Sequence, residues 1–315
     1  MALSTGKIKI DFIIPAYNEE DVIGSTIDEI KKRVPDRYDI KIIVVDNGSI
    51  DSTSDIVKGK NALCISSPEG TIAANRNLGA SQGDGEILVF LDADVLLTDE
   101  WHKEIDKTVK KLMENPLMVT GSRCQVQDKN NWFAKYWFAR MSGEKANYIN
   151  SAHLITSRLL FDRVEGFSGH LRTGEDYDFG QKAKKAGAVI INNTKLIAVH
   201  RRYPETIKAF INRERWHGSQ DFSSIKMILE SKQAILVLLN ICYFLTVLAV
   251  SIFLNSYYFI IVYIVSISFA LIAMTMIKFK KSSFPELLNG ALIYLFYMTG
   301  RTLSCLDQLS GRSKN

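Results

Sequence analysis

Residues 234–277 contain no Asp, Glu, Lys, Arg or His. The run divides into Ala234–Leu254 and Tyr257–Ile277, two apolar stretches of 21 residues with only Asn255 and Ser256 between them. At about 1.5 Å rise per residue, each helix would reach roughly 30 Å, the thickness of a bilayer's hydrocarbon core. The pair predicts a tight membrane hairpin. A buried helical pair in a soluble core would need another domain's worth of apolar surface to cover it, and the rest of the chain has no such reserve. Arg213, Arg215, Lys226 and Lys232 precede the first stretch, and Lys278, Lys280 and Lys281 follow the second. Basic flanks on one side place both ends of the hairpin, and the N-terminal part of the chain, in the cytoplasm. Leu287–Gly300 is shorter, at 14 residues, with Arg301 at its end. The element at about 287–303 is therefore expected to be an interfacial or re-entrant helix rather than a third crossing.

That run distorts the averages of the 315-residue chain, which is 47% hydrophobic and 23% charged with a mean hydropathy near zero. Charge is equally uneven. From residue 231 onward seven Lys and Arg stand against Glu286 and Asp307, which accounts for the whole formal net charge of +5. Residues 1–230 are balanced, so no basic domain is available to neutralise phosphates and nucleic acid is not an expected partner. The expected organisation is one domain over 1–230 and a membrane region over 231–315. Cys64, Cys124, Cys242 and Cys305 form no CxxC pair and are expected as buried reduced thiols, which suits a cytosolic face. MALSTGKIKIDF has no long apolar stretch and does not look like a secretory signal. Asn47–Ser49 and Asn192–Thr194 match a glycosylation pattern, which a cytosolic face would leave unused.

Upstream of the hairpin, strand and helix signals alternate. Ile8–Ile14, Ile40–Val45, Leu63–Ser66, Ile87–Leu91 and Leu117–Gly121 are short apolar runs. Between them, Val22, Ile23, Ile27, Ile30 and Val34 recur at helical spacing, Ile72–Ser81 reads helical, and Thr98 caps a helix that Pro116 ends. Continuous apolar strands separated by amphipathic helices predict an α/β fold with a mostly parallel sheet covered on both faces. Such sheets bind ligands at the carboxyl ends of their strands. Carboxylates lie there: Pro15-Ala16-Tyr17-Asn18-Glu19-Glu20 after the first strand, Asp46-Asn47-Gly48-Ser49-Ile50-Asp51 after the second, and Asp92-Ala93-Asp94 after the fourth. A carboxylate pair at a strand end suits one hard divalent cation with positions open for phosphate oxygens. Neither a G-x-x-x-x-G-K-[ST] loop nor a G-x-G-x-x-G turn follows the first strand.

The order PAYNEE, VVDNGSIDST, EGTIAANRNLGA, LDADV and GEDYD over about residues 7–218 resembles the family 2 glycosyltransferases of the GT-A fold. The resemblance implies inverting sugar transfer from a nucleotide-sugar donor with Mg²⁺ or Mn²⁺. It implies that Pro15, Tyr17, Glu19 and Asp46 line the base and ribose pocket. Arg76 would approach the nucleotide or its phosphates, Asp92 the ribose or donor sugar, and Asp94 the metal. The family's general base falls on Asp176, and Glu175 beside it is a second catalytic candidate. Inverting transfer needs a base for the acceptor hydroxyl and a cation for the departing diphosphate, so the residue types agree with these roles. His200, after the run Ala198-Val199, matches a histidine common at that point and is a second metal ligand or a structural residue. FDRVEGF at 161–167 departs from the family's FxxVGGF turn, with Glu165 in place of the first glycine.

Trp132, Phe133, Tyr136, Trp137 and Phe138, interleaved with Lys135 and Arg140, are open to core packing, sugar stacking or an interfacial position. Asn212–Trp216 (NRERW) resembles the QxxRW motif of processive synthases, with Asn in place of Gln. Together with only two clear spans, that departure argues against a translocating synthase. Arg215 and Trp216, like Trp132 and Trp137, are candidate acceptor contacts. The expected activity is a multi-pass membrane enzyme with a cytoplasmic catalytic domain, moving a sugar to a lipid-linked glycan. The alternatives are a polyprenyl-phosphate glycosyltransferase and a non-catalytic membrane scaffold.

Overall fold

The computed structural model describes residues 6–128, 130–141 and 148–311. They form two compact units: Met1–Gln127 with Ser142–Arg202, and Asp128–Met141 with Tyr203–Asn315.

The first unit is built on a seven-stranded sheet. Its strands in chain order are β1 (Lys9–Ala16), β2 (Asp39–Asp46), β3 (Leu63–Ser66), β4 (Ile87–Leu91), β6 (Met118–Gly121), β8 (His153–Ser157) and β9 (Val189–Asn192), arranged β3-β2-β1-β4-β8-β6-β9. Every pairing is parallel except those of β8, which runs antiparallel to β4 and β6. The sequence did not announce β8, because it is five residues long and lies next to residues that carry no periodic pattern. The mostly parallel sheet agrees with the expected fold class. β4 is buried at every residue, as the continuous run Ile87–Leu91 requires. The order reverses between β1 and β4, where a parallel sheet opens a ligand crevice.

Helices α1 (Ile23–Arg33), α2 (Thr53–Gly59), α3 (Ile72–Ser81), α4 (Asp99–Glu114), α5 (Arg158–Arg163) and α6 (Glu175–Lys185) complete the unit. α1 buries Ile23, Ile27 and Ile30 and ends on Lys31, Lys32 and Arg33, which complement the negative end of its dipole. α4 begins where Thr98 accepts from the Trp101 amide, with Asp99 and Glu100 in the first turn. α3 lies close on β1: a Cβ at Gly79 would stand 2.5 Å from Ile13 Cγ2. A small second sheet joins β5 (Val95–Leu97), antiparallel, and β7 (Gln125–Val126), parallel, to β10 (Ala198–His200).

The second unit begins with a π-helical turn over Ala134–Phe138 and continues with α7 (Ile207–Gly218), α8 (Ile225–Glu230), α9 (Lys232–Phe253), α10 (Tyr258–Lys278) and α11 (Phe284–Leu309). α9 and α10 are long and apolar enough to cross a membrane and are mostly exposed, as a lipid-facing pair would be. They join through Asn255, whose φ is 47°. The compact units divide at Arg202, where the expected domain boundary was 230, and α7 packs on α11. The element placed at 287–303 is the middle of an unbroken 26-residue helix, started by Pro285 and a capping box between Ser283 and Glu286. Over about 39 Å that helix has no re-entrant break, which leaves the interfacial half of the expectation open. The four thiols are free, but only Cys305 is buried: Cys64 and Cys124 are half-buried and Cys242 is exposed on α9.

Candidate active site

The loops after β1 and β2 are stitched together by their own side chains. Asn18, held at φ 53°, accepts from the Ile50 amide through Oδ1 at 3.0 Å and donates its own amide to Ser49 Oγ at 2.9 Å. The Glu19 amide donates to Thr53 Oγ1 at 2.8 Å, and Ser52 donates to Glu20 Oε2 at 3.0 Å. Asp46, at the end of β2, is buried and accepts from both the amide and hydroxyl of Ser49. Pro15 sits half-buried at the end of β1, while Tyr17 is 56% exposed, a ring free to cover a planar base. The sequence pointed to Pro15, Tyr17, Glu19 and Asp46 but not to Asn18. Asn is the residue type that tolerates the left-handed conformation such a turn needs.

Asp94 lies at the start of β5, and the β5–β10 ladder sets Val95 opposite His200. His200 Nδ1 and Asp94 Oδ2 stand 3.3 Å apart. Burial pushes the Asp94 carboxyl up, His200 draws it down, and Asp92 raises it again. A divalent ion fits this pair, since carboxylate oxygen and imidazole nitrogen are both donors that Mn²⁺ or Mg²⁺ accepts and a cation offsets the burial. Among the described residues no three His, Cys, Asp or Glu side chains group into a complete cage. Two protein donors leave the remaining positions to ligand oxygens. Nearby, Arg202 donates to Glu19 Oε2 at 2.7 Å, yet burial outweighs that bond and lifts the Glu19 carboxyl to about 7.

The third part centres on Arg76, only 1% exposed on α3. One terminal nitrogen donates to Glu175 Oε1 and the other to Asp92 Oδ1, each at 2.7 Å. Ser151 donates to the same Glu175 oxygen at 3.0 Å. Arg76 is thereby anchored through both terminal nitrogens, and Glu175 is its ion-pair partner directly beside Asp176. Asp176 is different. It follows Gly174, whose φ of 77° turns the chain into α6, and its Oδ1 accepts from the Tyr177 amide at 2.7 Å. Burial first, and the neighbouring Glu175 charge second, push its carboxyl up to about 7, against the pull of Arg76. A buried carboxyl poised near neutrality is suited to accept a proton.

Asn77 also escaped the sequence reading. It clamps Phe167 with two bonds, Nδ2 to the carbonyl at 2.7 Å and Oδ1 from the amide at 2.9 Å. That clamp fixes the turn where Glu165 takes φ 58° and Gly166 φ 62°. The departure at Glu165 is thus accommodated in the left-handed region, against the usual preference for glycine.

The remaining candidates lie in the second unit. Trp137 is 2% exposed, with Tyr294 edge-on at 4.8 Å and the Lys278 ammonium 3.7 Å over its ring. Its expected role in acceptor contact gives way to packing, since no face of the indole is open. Trp132 is half-buried and donates Nε1 to Asn289 Oδ1 at 2.7 Å. Arg215 turns its fork on Asp307 of α11. Its neighbour Glu214 is buried between Arg213 at 2.7 Å and Arg301 at 3.2 Å. NRERW therefore clips α7 to α11. Trp216 is 50% exposed.

The Glycosyl transferase family 2 model matches residues 11–174, just over half the chain, and the Glycosyl transferase family group 2 model matches residues 113–279. Glycosyltransferase AglE of Haloferax volcanii is 25% identical over 209 residues, 62% of this chain and 67% of that protein. A protein of Methanocaldococcus jannaschii described as uncharacterised is 37% identical over 135 residues, 39% of this chain and 49% of its own length. A dolichyl-phosphate beta-glucosyltransferase of Trichomonas vaginalis is 28% identical over 138 residues, 39% of this chain and 41% of its own length. The match thus spans less than half of the last two relatives. Among solved structures, the mannosyltransferase PcManGT from Pyrobaculum calidifontis, in complex with GDP-Man and Mn²⁺, superposes with a TM-score of 0.58 at 20% identity, covering 98% of this chain and 89% of that one. GalNAc-T7 with UDP, GalNAc and Mn²⁺ gives 0.51 at 14% identity, over 70% and 52%. These two likenesses carry the fold, and the family match carries the chemistry: the chain belongs to the family 2 glycosyltransferases and is an enzyme of the GT-A fold.

Proposed function

We propose that this glycosyltransferase moves a sugar, with inversion, from a nucleotide-sugar donor to a lipid-linked glycan at the cytoplasmic face of a membrane. The observation that carries the reaction is the buried Asp176 carboxyl at the start of α6, raised to about 7. The acceptor hydroxyl oxygen attacks the anomeric carbon, the bond from that carbon to the diphosphate oxygen breaks, and the hydroxyl proton passes to Asp176. Asp94 and His200 would hold Mg²⁺ or Mn²⁺, which supplies positive charge for the departing diphosphate. Tyr17 and Asp46 would receive the base and ribose, and Asp92, fixed by Arg76, would face the donor sugar.

The bilayer-length pair α9 and α10 supports an acceptor confined to the membrane. Glycosyl transfer to a polyprenyl phosphate is the second reading, and the dolichyl-phosphate relative favours it. A lipid phosphate arrives largely ionised and needs no base, so Asp176 leans towards a hydroxyl acceptor. The test uses the purified full chain in nanodiscs with Mn²⁺ and GDP-mannose or UDP-glucose, the nucleotides suggested by the two superposed structures. Radiolabel should pass to a polyprenyl-diphosphate-linked sugar. Transfer to polyprenyl phosphate alone would establish the second reading, and efficient transfer to a soluble oligosaccharide would defeat both.

A further inference from the structure

We infer that Arg76 is a positioning residue shared by the two halves of the reaction centre, holding Glu175 as a fixed counter-charge that sets the protonation of Asp176 while its other nitrogen fixes Asp92. The inference rests on Asp176 being the base. It also explains an arrangement that base catalysis alone leaves unexplained: why a second carboxylate is buried directly beside the base.

Arg76 and Glu175 are 99 residues apart in sequence, and Arg76 and Asp92 are 16 apart, yet one guanidinium satisfies both carboxylates at 2.7 Å. The group is enclosed, with Arg76 at 1%, Glu175 at 6% and Asp176 at 9% exposure. Water therefore screens these charges poorly, and each acts on its neighbours more strongly than it would at a surface. The ring of Phe167 lies 5.9 Å below the guanidinium and closes one side, while Ser151 fixes Glu175 Oε1 from the other. Arg76 Nε has no partner among the described residues, so the guanidinium is held by its two terminal forks alone.

The charged and titratable groups around Asp176 come from several elements. Glu175 stands on α6 itself and Arg76 reaches in from α3. The Tyr148 phenol lies on the approach to β8, where Asp176, Glu175 and Arg123 all act on it. Of these, Arg76 and Glu175 have opposite effects on Asp176. The cation favours the carboxylate and the neighbouring anion disfavours it. The two partly cancel because they are bound to each other. Removing one member should therefore shift the base in one direction, removing the other should shift it in the opposite direction, and removing both should nearly restore it. A role confined to holding the fold would lower activity at every pH and shift nothing.

The experiment measures kcat/KM against pH from 5 to 9 for the full chain, with Mn²⁺ and whichever of GDP-mannose or UDP-glucose the unaltered protein turns over. Glu175→Gln keeps the shape and the bond from Ser151 while losing the charge. Its acid limb should move down by about one pH unit. Arg76→Met should move that limb up by a similar amount, and Arg76→Lys should recover part of the shift. The double variant Arg76→Met with Glu175→Gln should return to within a few tenths of a unit of the starting profile. Limbs that stay in place in all variants, or move in the same direction for both single changes, would overturn the inference. Glu175→Gln is nearly isosteric, so its profile decides the matter even where Arg76→Met folds poorly. Asp176→Asn run in parallel separates the two readings. If it remains fully active the base assignment itself fails, whereas an inactive Asp176→Asn with unshifted limbs elsewhere refutes only the role of Arg76 and Glu175.

Discussion

Asp176 and Asp94 are both buried carboxyls pushed upward, yet they answer to different partners. Asp176→Asn keeps the volume and removes proton acceptance, so kcat should fall by about 10²–10⁴-fold while donor binding changes little. Loss of binding instead would move the base elsewhere. The same residue predicts a pH signature in stability. Its carboxyl is at about 7 in the folded chain against an ordinary 3.8, so the folded state holds the proton more tightly. That contribution is complete below about 4 and is lost as pH rises through about 7. Melting temperature should therefore drop between pH 5 and pH 8, and the drop should be smaller in Asp176→Asn. Asp94 and His200 belong to the cation. Asp94→Ala should abolish, and His200→Ala should weaken, the thermal stabilisation that GDP or UDP gives only with Mn²⁺ present. Stabilisation by Mn²⁺ that survives in Asp94→Ala would remove this pair from the metal site.

Helices α7, α10 and α11 meet through residues without side chains. A Cβ at Gly300 of α11 would come within 2.7 Å of the Ile211 carbonyl and 2.8 Å of Glu214 Cβ on α7. One at Gly290 would stand 2.5 Å from Thr275 Cγ2 on α10. Close backbone approach of this kind brings the charged residues of NRERW within reach of Arg301 and Asp307, and it explains why the motif serves as a clip. Gly300→Ala must push one helix backbone away, at a cost of about 1–3 kcal/mol. Gly59→Ala, with nothing within 4 Å of the new methyl, is the control and should leave the melting temperature unchanged or slightly higher. Equal melting temperatures for both variants would mean that the α7–α11 crossing does not limit stability. Between α9 and α10 the bonds are polar: Tyr263 donates to Asn240 Oδ1 at 3.2 Å, and Tyr243 and Ser266 share a bond of 3.0 Å. In a lipid core such groups are satisfied by each other, which keeps the hairpin in register.

For the proposed membrane enzyme the decisive question is orientation. With both basic flanks cytoplasmic, a membrane-impermeant maleimide added to intact cells should label a Cys at Ser256 and not one at Ser282, on a background with the native cysteines replaced. The reverse pattern would put the reaction centre outside. How the chain reaches this organisation divides along physical lines. Strand and helix periods, the turn residues after β1, β2 and β4, and the charge-free run are local properties. For that reason the α/β class, the hairpin, and the positions of Asp46, Asp92, Asp94 and Asp176 at element ends could be read from the sequence alone. Even His200 was accessible, because β10 is short and apolar and ends on it. The partners of buried charges are not local. Arg76 finds Glu175 only because α3 and α6 converge on one end of the sheet. Nothing local in Glu175-Asp176 shows that Glu175 is ion-paired to Arg76. Trp137 and Arg215 carry the residue types of a binding surface, and only packing within the second unit shows one to be enclosed and the other to be ion-paired. β8 reverses direction in a sheet whose sequence pattern says parallel, because five residues cannot encode which neighbour they will bond. Local chemistry thus determined the fold class and where the functional side chains emerge. The tertiary structure decided which of them remain free to react, because that depends on which distant charge or ring reaches each one first.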